Sequence, residues 1–315
     1  MRSLRIGFLG LCLLLLACQP ETPSKKYLFL GHTYDWKSDD NNRVDPRIAA
    51  LKPKLYDGIW MGGDICARSS GERATLVYLD SLLHLGASTT HWAVGNHDLT
   101  SGHPEMIPEF THRPSFYQHY FDGIHLMVWN TCFEHPQLPK YEAGCEEMNA
   151  QYQLIKNVCD TLQKADYFVI LHHHALLTNS IARNDLDVDT LFHYYRPKSR
   201  FSCEPAGSFE ELVYPLLTEV QQRGVQVILI GGDVGQRCKT FSYQSQEGIW
   251  FLGSGINNSM GSETIPPWVT NLNPDSILVF EHQIEKGRLS WKFYDLDEMV
   301  QEQKNRTIPA ENTAH

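Results

Sequence analysis

Two short motifs constrain this chain more than any other feature: Gly63-Asp64 and, about thirty residues later, Gly95-Asn96-His97-Asp98. Each follows a short apolar run, Gly58–Met61 and Thr90–Val94, which reads as a strand. Glycine lets the backbone turn sharply at a strand end, so polar side chains from separate strands can converge. Other apolar runs end the same way. Tyr27–Leu30 enters Gly31-His32-Thr33-Tyr34-Asp35, Tyr167–Leu171 enters His172-His173-His174, and Val225–Ile230 enters Gly231-Gly232-Asp233. In open α/β sheets ligands bind beyond the carboxyl ends of strands.

The segments between these runs read mostly as helices. Asp45-Pro46 has a capping residue followed by proline at the first helical position. Arg73–Leu85 and Glu146–Leu162 carry apolar residues at helical spacing, and Ser208-x-x-Glu211 is a capping box before a helix that Pro215 should kink. Phe116–Phe121 and His125–Asn130 flank Asp122-Gly123 and predict a hairpin. Past residue 239 the chain turns to strands, the last pair joined at Lys286-Gly287. Alternating helices and strands followed by an all-β end predict an α/β fold, a two-sheet β-sandwich core flanked by helices.

The residue types at these strand ends suit metal-assisted hydrolysis of phosphate esters. That chemistry needs a carboxylate able to serve cations, neutral nitrogen and oxygen ligands that leave room for water, and a proton donor for the leaving oxygen. With Gly-Asp upstream and a histidine cluster downstream, Gly-Asn-His-Asp resembles the calcineurin-like metallophosphoesterase superfamily over roughly residues 26–260. That family's motifs read Asp-x-His, Gly-Asp, Gly-Asn-His-Asp/Glu, His, and Gly-His-x-His. The resemblance implies a metal-binding role for Asp64 and Asn96. It makes His97 the histidine that contacts phosphate and assists the leaving group, with Asp98 orienting its ring. His172, which follows the strand most directly, is the expected histidine ligand, and His173 is the alternative.

The first and last motifs depart from the pattern. His32 stands in the Asp place and Tyr34 in the His place, while Asp233 and Gly235 stand where the last motif has its two histidines. One metal site then keeps Asp64, Asn96, His172 and Asp233. The other keeps Asp64 and His32, with Tyr34, Asp35 or Gln236 as helpers. The expectation is one firmly held divalent transition metal (iron, manganese or zinc) and a weak or vacant second site. His32 is also a candidate to assist the attacking water. A phosphoesterase fold that retains a metal and binds a ligand without hydrolysing it is the alternative. A serine hydrolase is disfavoured, because Gly253-Ser254-Gly255 is not a Gly-x-Ser-x-Gly elbow. Arg113 and Arg183, near the third and fourth motifs, are candidate phosphate contacts through their planar forks.

The ends and the cysteines speak to compartment. Arg2 and Arg5 precede an apolar run, Ile6–Leu16, too short to span a bilayer, which ends in Ala17-Cys18. This resembles a bacterial lipobox, which implies a signal peptide over 1–17, lipidation of Cys18 and a tether to residue 25. The expected domain covers 26–300, with a loose tail at 301–315. Export to the cell envelope, on the periplasmic or surface side of the outer membrane, would follow. Cys132 and Cys145 are the best candidates for a disulfide, with free buried thiols as the other reading. A formal charge of −10 disfavours long nucleic acid or an anionic membrane surface as partner. A small phosphorylated substrate is compatible, since a metal supplies positive charge locally.

Overall fold

The computed structural model describes residues 24–40, 42–100, 102–133, 142–183, 200–234, 239–259 and 273–307. Its strands are β1 (Lys25–Leu30), β2 (Gly58–Met61), β3 (Thr90–Trp92), β4 (Tyr117–Phe121), β5 (Ile124–Val128), β6 (Tyr167–His172) and β7 (Arg200–Cys203). They continue with β8 (Ala206–Ser208), β9 (Gln226–Gly231), β10 (Thr240–Gln244), β11 (Trp250–Ser254), β12 (Ser276–Gln283) and β13 (Arg288–Asp295). One sheet has the order β13-β12-β1-β2-β3, the other β10-β11-β9-β6-β5-β4, and β7-β8 form a small hairpin. The strands that feed the predicted site are parallel within each sheet: β1 with β2 and β2 with β3, then β6 with β9. Their carboxyl ends therefore lie along one rim.

Strand parity explains why two sheets stack. Tyr27 and Phe29 of β1 face Val169, Leu171, Ile228 and Ile230 of β6 and β9 in the layer between the sheets. The intervening Leu28 and Leu30 face outward, into a core with Leu76, Leu79 and Leu83 of helix Arg73–Leu83 and Leu296 and Val300 of helix Leu296–Thr307. Phe168, Ile170, Val227 and Leu229 face outward on the other side. They meet Ile155 and Val158 of helix Glu142–Thr161 and Leu217 and Val220 of helix Tyr214–Gln222. A period of two with both sets apolar is what a doubly covered strand requires. Each such side chain contributes roughly 1.5–3 kcal/mol on burial. The result is the predicted sandwich, a mixed α/β fold of two main sheets flanked by helices.

Several local readings hold. Asp45 caps helix Pro46–Ala50 by accepting from the Arg47 N–H, and the Ser208–Glu211 capping box is formed. Asp122 and Gly123 both adopt positive φ in the β4–β5 hairpin, as a two-residue turn demands. Pro215 has no N–H to donate, and the chain meets it with a π-type turn, Phe209–Val213, running into helix Tyr214–Gln222. The expectation of a loose tail from 301 needs correction. The last helix runs to Thr307 and anchors on Leu296 and Val300, while 308–315 lie outside the described residues. Among the described residues, no helix is long and apolar enough to cross a membrane. The signal segment and Cys18 lie outside them too.

The disulfide differs from expectation. Cys145 pairs with Cys203, tying the long helix to β7 at a Cα–Cα distance of 5.6 Å. Cys132 is instead a buried thiol that donates to the Val94 carbonyl at 3.5 Å.

Candidate metal centre

The two sheets come into direct backbone contact where the site forms. A Cβ on Gly232 would lie 1.9 Å from the Gly62 carbonyl oxygen, so only glycine lets the β2 and β9 ends cross. A Cβ on Gly95 would lie 2.2 Å from Oδ1 of Asp64, which seats that carboxylate directly on the third motif. His32 and Asp64 take left-handed backbone angles, φ 51° and 53°. Such angles are costly for non-glycine residues and are commonly held where function needs them. The two loops are stitched by His32 N–H to the Gly63 carbonyl and Thr33 N–H to that of Asp64, each 3.1 Å.

Asp64 is buried at the middle of the cluster. Its Oδ1 accepts the His97 backbone N–H at 2.9 Å, and its Oδ2 lies 3.4 Å from His173 Nε2 and 3.5 Å from His32 Nε2. Asn96 Oδ1 lies 3.3 Å from His173 Nε2 and 3.2 Å from His174 Nε2. Donor atoms of His173, His174 and Asp233 all fall within 4.8 Å of one another, and all three residues are buried. The structure thus brings together Asp64, Asn96, His173, His174 and Asp233, with His32 also against the Asp64 carboxylate.

The ring tautomers suit a cation. His173 Nδ1–H donates to the Gly62 carbonyl at 2.7 Å, and His174 Nδ1–H donates to that of Thr131 at 3.0 Å. Each ring is thereby turned so that Nε2 faces Asn96, the arrangement by which outer hydrogen bonds orient histidine ligands. Charge agrees with geometry. Burial opposes protonation of His173, yet Asp64 and Asp233 overcome it and raise its pKa to about 10. Burial likewise opposes ionisation of Asp64, and His173 with its neighbours holds the carboxyl well below the usual range. The carboxylates therefore create a field that favours positive charge at Nε2 of His173, where a metal would sit. Two carboxylates, one amide oxygen and two imidazoles are a fitting donor set for a divalent transition metal.

Two expected roles are corrected. His172 is not in the cluster. Its Nδ1–H donates to the His174 carbonyl at 2.8 Å, and burial lowers its pKa to about 3, so it is a neutral packing residue. Asp98 does not orient the His97 ring, whose Nδ1–H donates to the Ala67 carbonyl at 3.2 Å. The Asp98 carboxylate instead accepts the backbone N–H groups of Asp64 (2.8 Å), Gly95 (2.8 Å) and Ile65 (3.1 Å), the Trp92 indole N–H and the Ser69 hydroxyl. It braces the loops that present Asp64 and Asn96.

The proposed phosphate contact at Arg113 also fails. Its guanidinium donates to the carbonyls of Thr90 (2.9 Å), Thr111 (3.2 Å) and Ala87 (2.9 Å), clamping a turn. Arg183 ends helix Asn179–Arg183, and its side chain lies outside the described residues, as do Gly235 and Gln236. Tyr34 is buried, its ring 4.7 Å from His32 and 5.4 Å from His97. Burial, Asp64 and Asp233 raise its pKa, so the phenol keeps its proton. Trp36 stacks on His32 at 5.2 Å. Aromatic rings thus wall the side where the first motif departs from its family. His174 was missed by sequence reasoning, although the run of three histidines was the available signal.

A family model described as calcineurin-like phosphoesterase matches residues 26–202. The chain belongs to that family. Among solved structures it is similar, at 11% identity, to GAP50, the anchor in the inner membrane complex of Plasmodium, covering 87% of this chain and 85% of that one with a TM-score of 0.49. It is also similar to a dimetal phosphatase from Danio rerio, at 11% identity over 86% of this chain and 99% of that one, TM-score 0.48. A metallophosphoesterase from Sphaerobacter thermophilus aligns at 11% identity over 91% and 96%, TM-score 0.30. No curated protein gives a significant sequence match.

Proposed function

We propose that this protein hydrolyses a phosphate ester, mono- or diester, on a small phosphorylated substrate, using a firmly held divalent transition metal (iron, manganese or zinc). The observation that carries this reading is the convergence of Asp64, Asn96, His173, His174 and Asp233 on one buried place. These residues would hold the metal, and His32 with Asp64 would form a weaker second position. When bound, such a metal polarises a phosphoryl oxygen and lowers the pKa of water.

The chain's own groups do the rest. His97 is half-buried beside the cluster, and its backbone N–H is fixed on Asp64. With Nδ1 held by Ala67, its Nε2 edge is the one that carries a proton to the leaving oxygen. The Asp98 brace holds Asn96 and Asp64 in register, and Tyr34 with Trp36 packs against the His32 ring and fixes its position. His32, between Asp64 and this aromatic wall, is placed to help orient the attacking water.

The altered first and last motifs favour a second reading, a ligand-binding module without turnover. A panel of aryl phosphate mono- and diesters, run with and without chelator, separates the two. The hydrolase reading expects chelator-sensitive turnover that Asp64→Ala removes. Metal binding with no turnover of any ester supports the binding module.

For location, we favour export with a signal over 1–17, lipidation of Cys18 and a tether to residue 25, leading to an envelope-bound domain over 26–300. The Cys145–Cys203 bridge supports an oxidising compartment. Mass spectrometry of the amino-terminal peptide from membranes tests this, and an unprocessed, unacylated terminus contradicts it.

A further inference from the structure

A cavity of about 670 Å³ opens beside the metal centre, between the edge strands of the two sheets. Its floor is Trp92, Val94 and Cys132, and one wall is Leu99 and Thr100, the end of the short helix that carries Asn96 and His97. Cys132 Sγ is 3.9 Å from Nδ1 of His174, so the floor touches the back of a candidate ligand. The volume is in the range of small-molecule sites, which are mostly apolar.

Several polar groups on this lining are already engaged by the protein. Thr90 Oγ1 donates to the Leu83 carbonyl (3.1 Å), and Thr111 Oγ1 donates to that of Ile107 (3.1 Å). The Tyr117 hydroxyl pairs with His91 Nδ1 at 3.1 Å, and the Arg113 fork is held by three carbonyls. The other charged lining residue, Glu147, is exposed and negative. A second phosphate would find a carboxylate and a guanidinium held by three carbonyls, whereas an alkyl or aryl group would find the carbon of Trp92, Val94, Leu99 and Ile107.

We infer that this cavity is the subsite for the uncharged, apolar organic group of the substrate, so that the ester handled at the centre carries one phosphoryl group on a hydrophobic body. The inference rests on the phosphoesterase reading for the position of the phosphoryl group. It excludes nucleoside diphosphates and other substrates with a second anionic group on that side, and transfer of apolar surface supplies the affinity.

The test is calorimetric titration of the isolated protein with ethylphosphonate and octylphosphonate. Octylphosphonate should bind at least ten-fold tighter. Ser115→Trp, which projects bulk into the cavity from a half-buried lining position, should erase that difference and leave the ethylphosphonate Kd unchanged. Pro108→Trp, on an exposed lining position, should do the same if Ser115→Trp does not fold. Equal or undetectable binding of the two phosphonates overturns the inference, as does a chain-length difference that survives both folded variants. Turnover of the panel of aryl phosphate mono- and diesters is scored in parallel. A chain-length difference without turnover keeps the subsite and sinks the hydrolase reading, and turnover without the difference does the reverse.

Discussion

Nε2 of His173 stands 3.4 Å from Oδ2 of Asp64, joining the end of β6 in one sheet to the end of β2 in the other. The two residues are 109 positions apart. Their meeting depends on glycines at 62 and 232, which let the sheets touch there. The candidate centre is therefore a property of how the sandwich closes and not of either sheet alone.

His97 should separate chemistry from metal binding. His97→Ala removes the ring while the Asp64, Asn96 and His173 side chains remain. We expect kcat on aryl phosphates to fall by about 10²–10⁴, with metal content unchanged. Loss of metal together with activity would show that His97 acts as a ligand.

Asp98 should matter for stability first. Its carboxylate accepts from three backbone N–H groups, the Trp92 indole and Ser69. Asp98→Asn sets an amide N–H₂ against some of those donors, and the expected cost is about 3 kcal/mol or more. Chemical denaturation measures it, and a stability unchanged from wild type would contradict the bracing role.

The buried His91 gives a pH dependence with a definite sign. Burial, then Arg113 and His119, hold its pKa well below the usual histidine value. Below about pH 6.5 the unfolded chain takes up a proton that the folded chain refuses. The contribution of His91 is thus fully present above that pH and is lost as pH falls, at up to about 1.4 kcal/mol per unit. Urea denaturation at pH 7.5 and 5 should show a smaller acid loss in His91→Gln than in wild type. Identical losses would refute the assignment.

The Cys145–Cys203 bridge closes a loop with a sequence separation of 58. Removing it with Cys145→Ser and Cys203→Ser should cost about 2–4 kcal/mol, mainly through the unfolded chain. Non-reducing peptide mapping should recover a 145–203 linked pair, and a 132–145 pair would contradict the fold described above.

Much of this was legible from residues alone. Strand ends rich in glycine and polar residues located the rim, and the capping pairs at Asp45 and Ser208 located helix starts. The choice among three histidines was not legible. Phe168, Val169, Ile170 and Leu171 are all apolar because β6 is covered on both faces, so sequence gives no parity from which to tell that His173 continues the inner set. His174 reaches the centre only because the chain bends beyond the strand, where its N–H meets the Thr131 hydroxyl at 2.9 Å. Asp98 and Arg113 carry side chains whose types suit catalysis, yet both are consumed by backbone groups of loops that only the folded chain brings near. The bridge from Cys145 to Cys203 depends on the long helix packing against β7, a contact no local pattern encodes.

The most direct measurement is elemental analysis of protein purified without chelator, comparing wild type with His173→Ala. Wild type should carry at least one equivalent of a divalent transition metal, and His173→Ala should lose most of it while remaining folded by circular dichroism. A wild-type protein without divalent metal, or a His173→Ala variant that keeps its full complement, would contradict the centre described above.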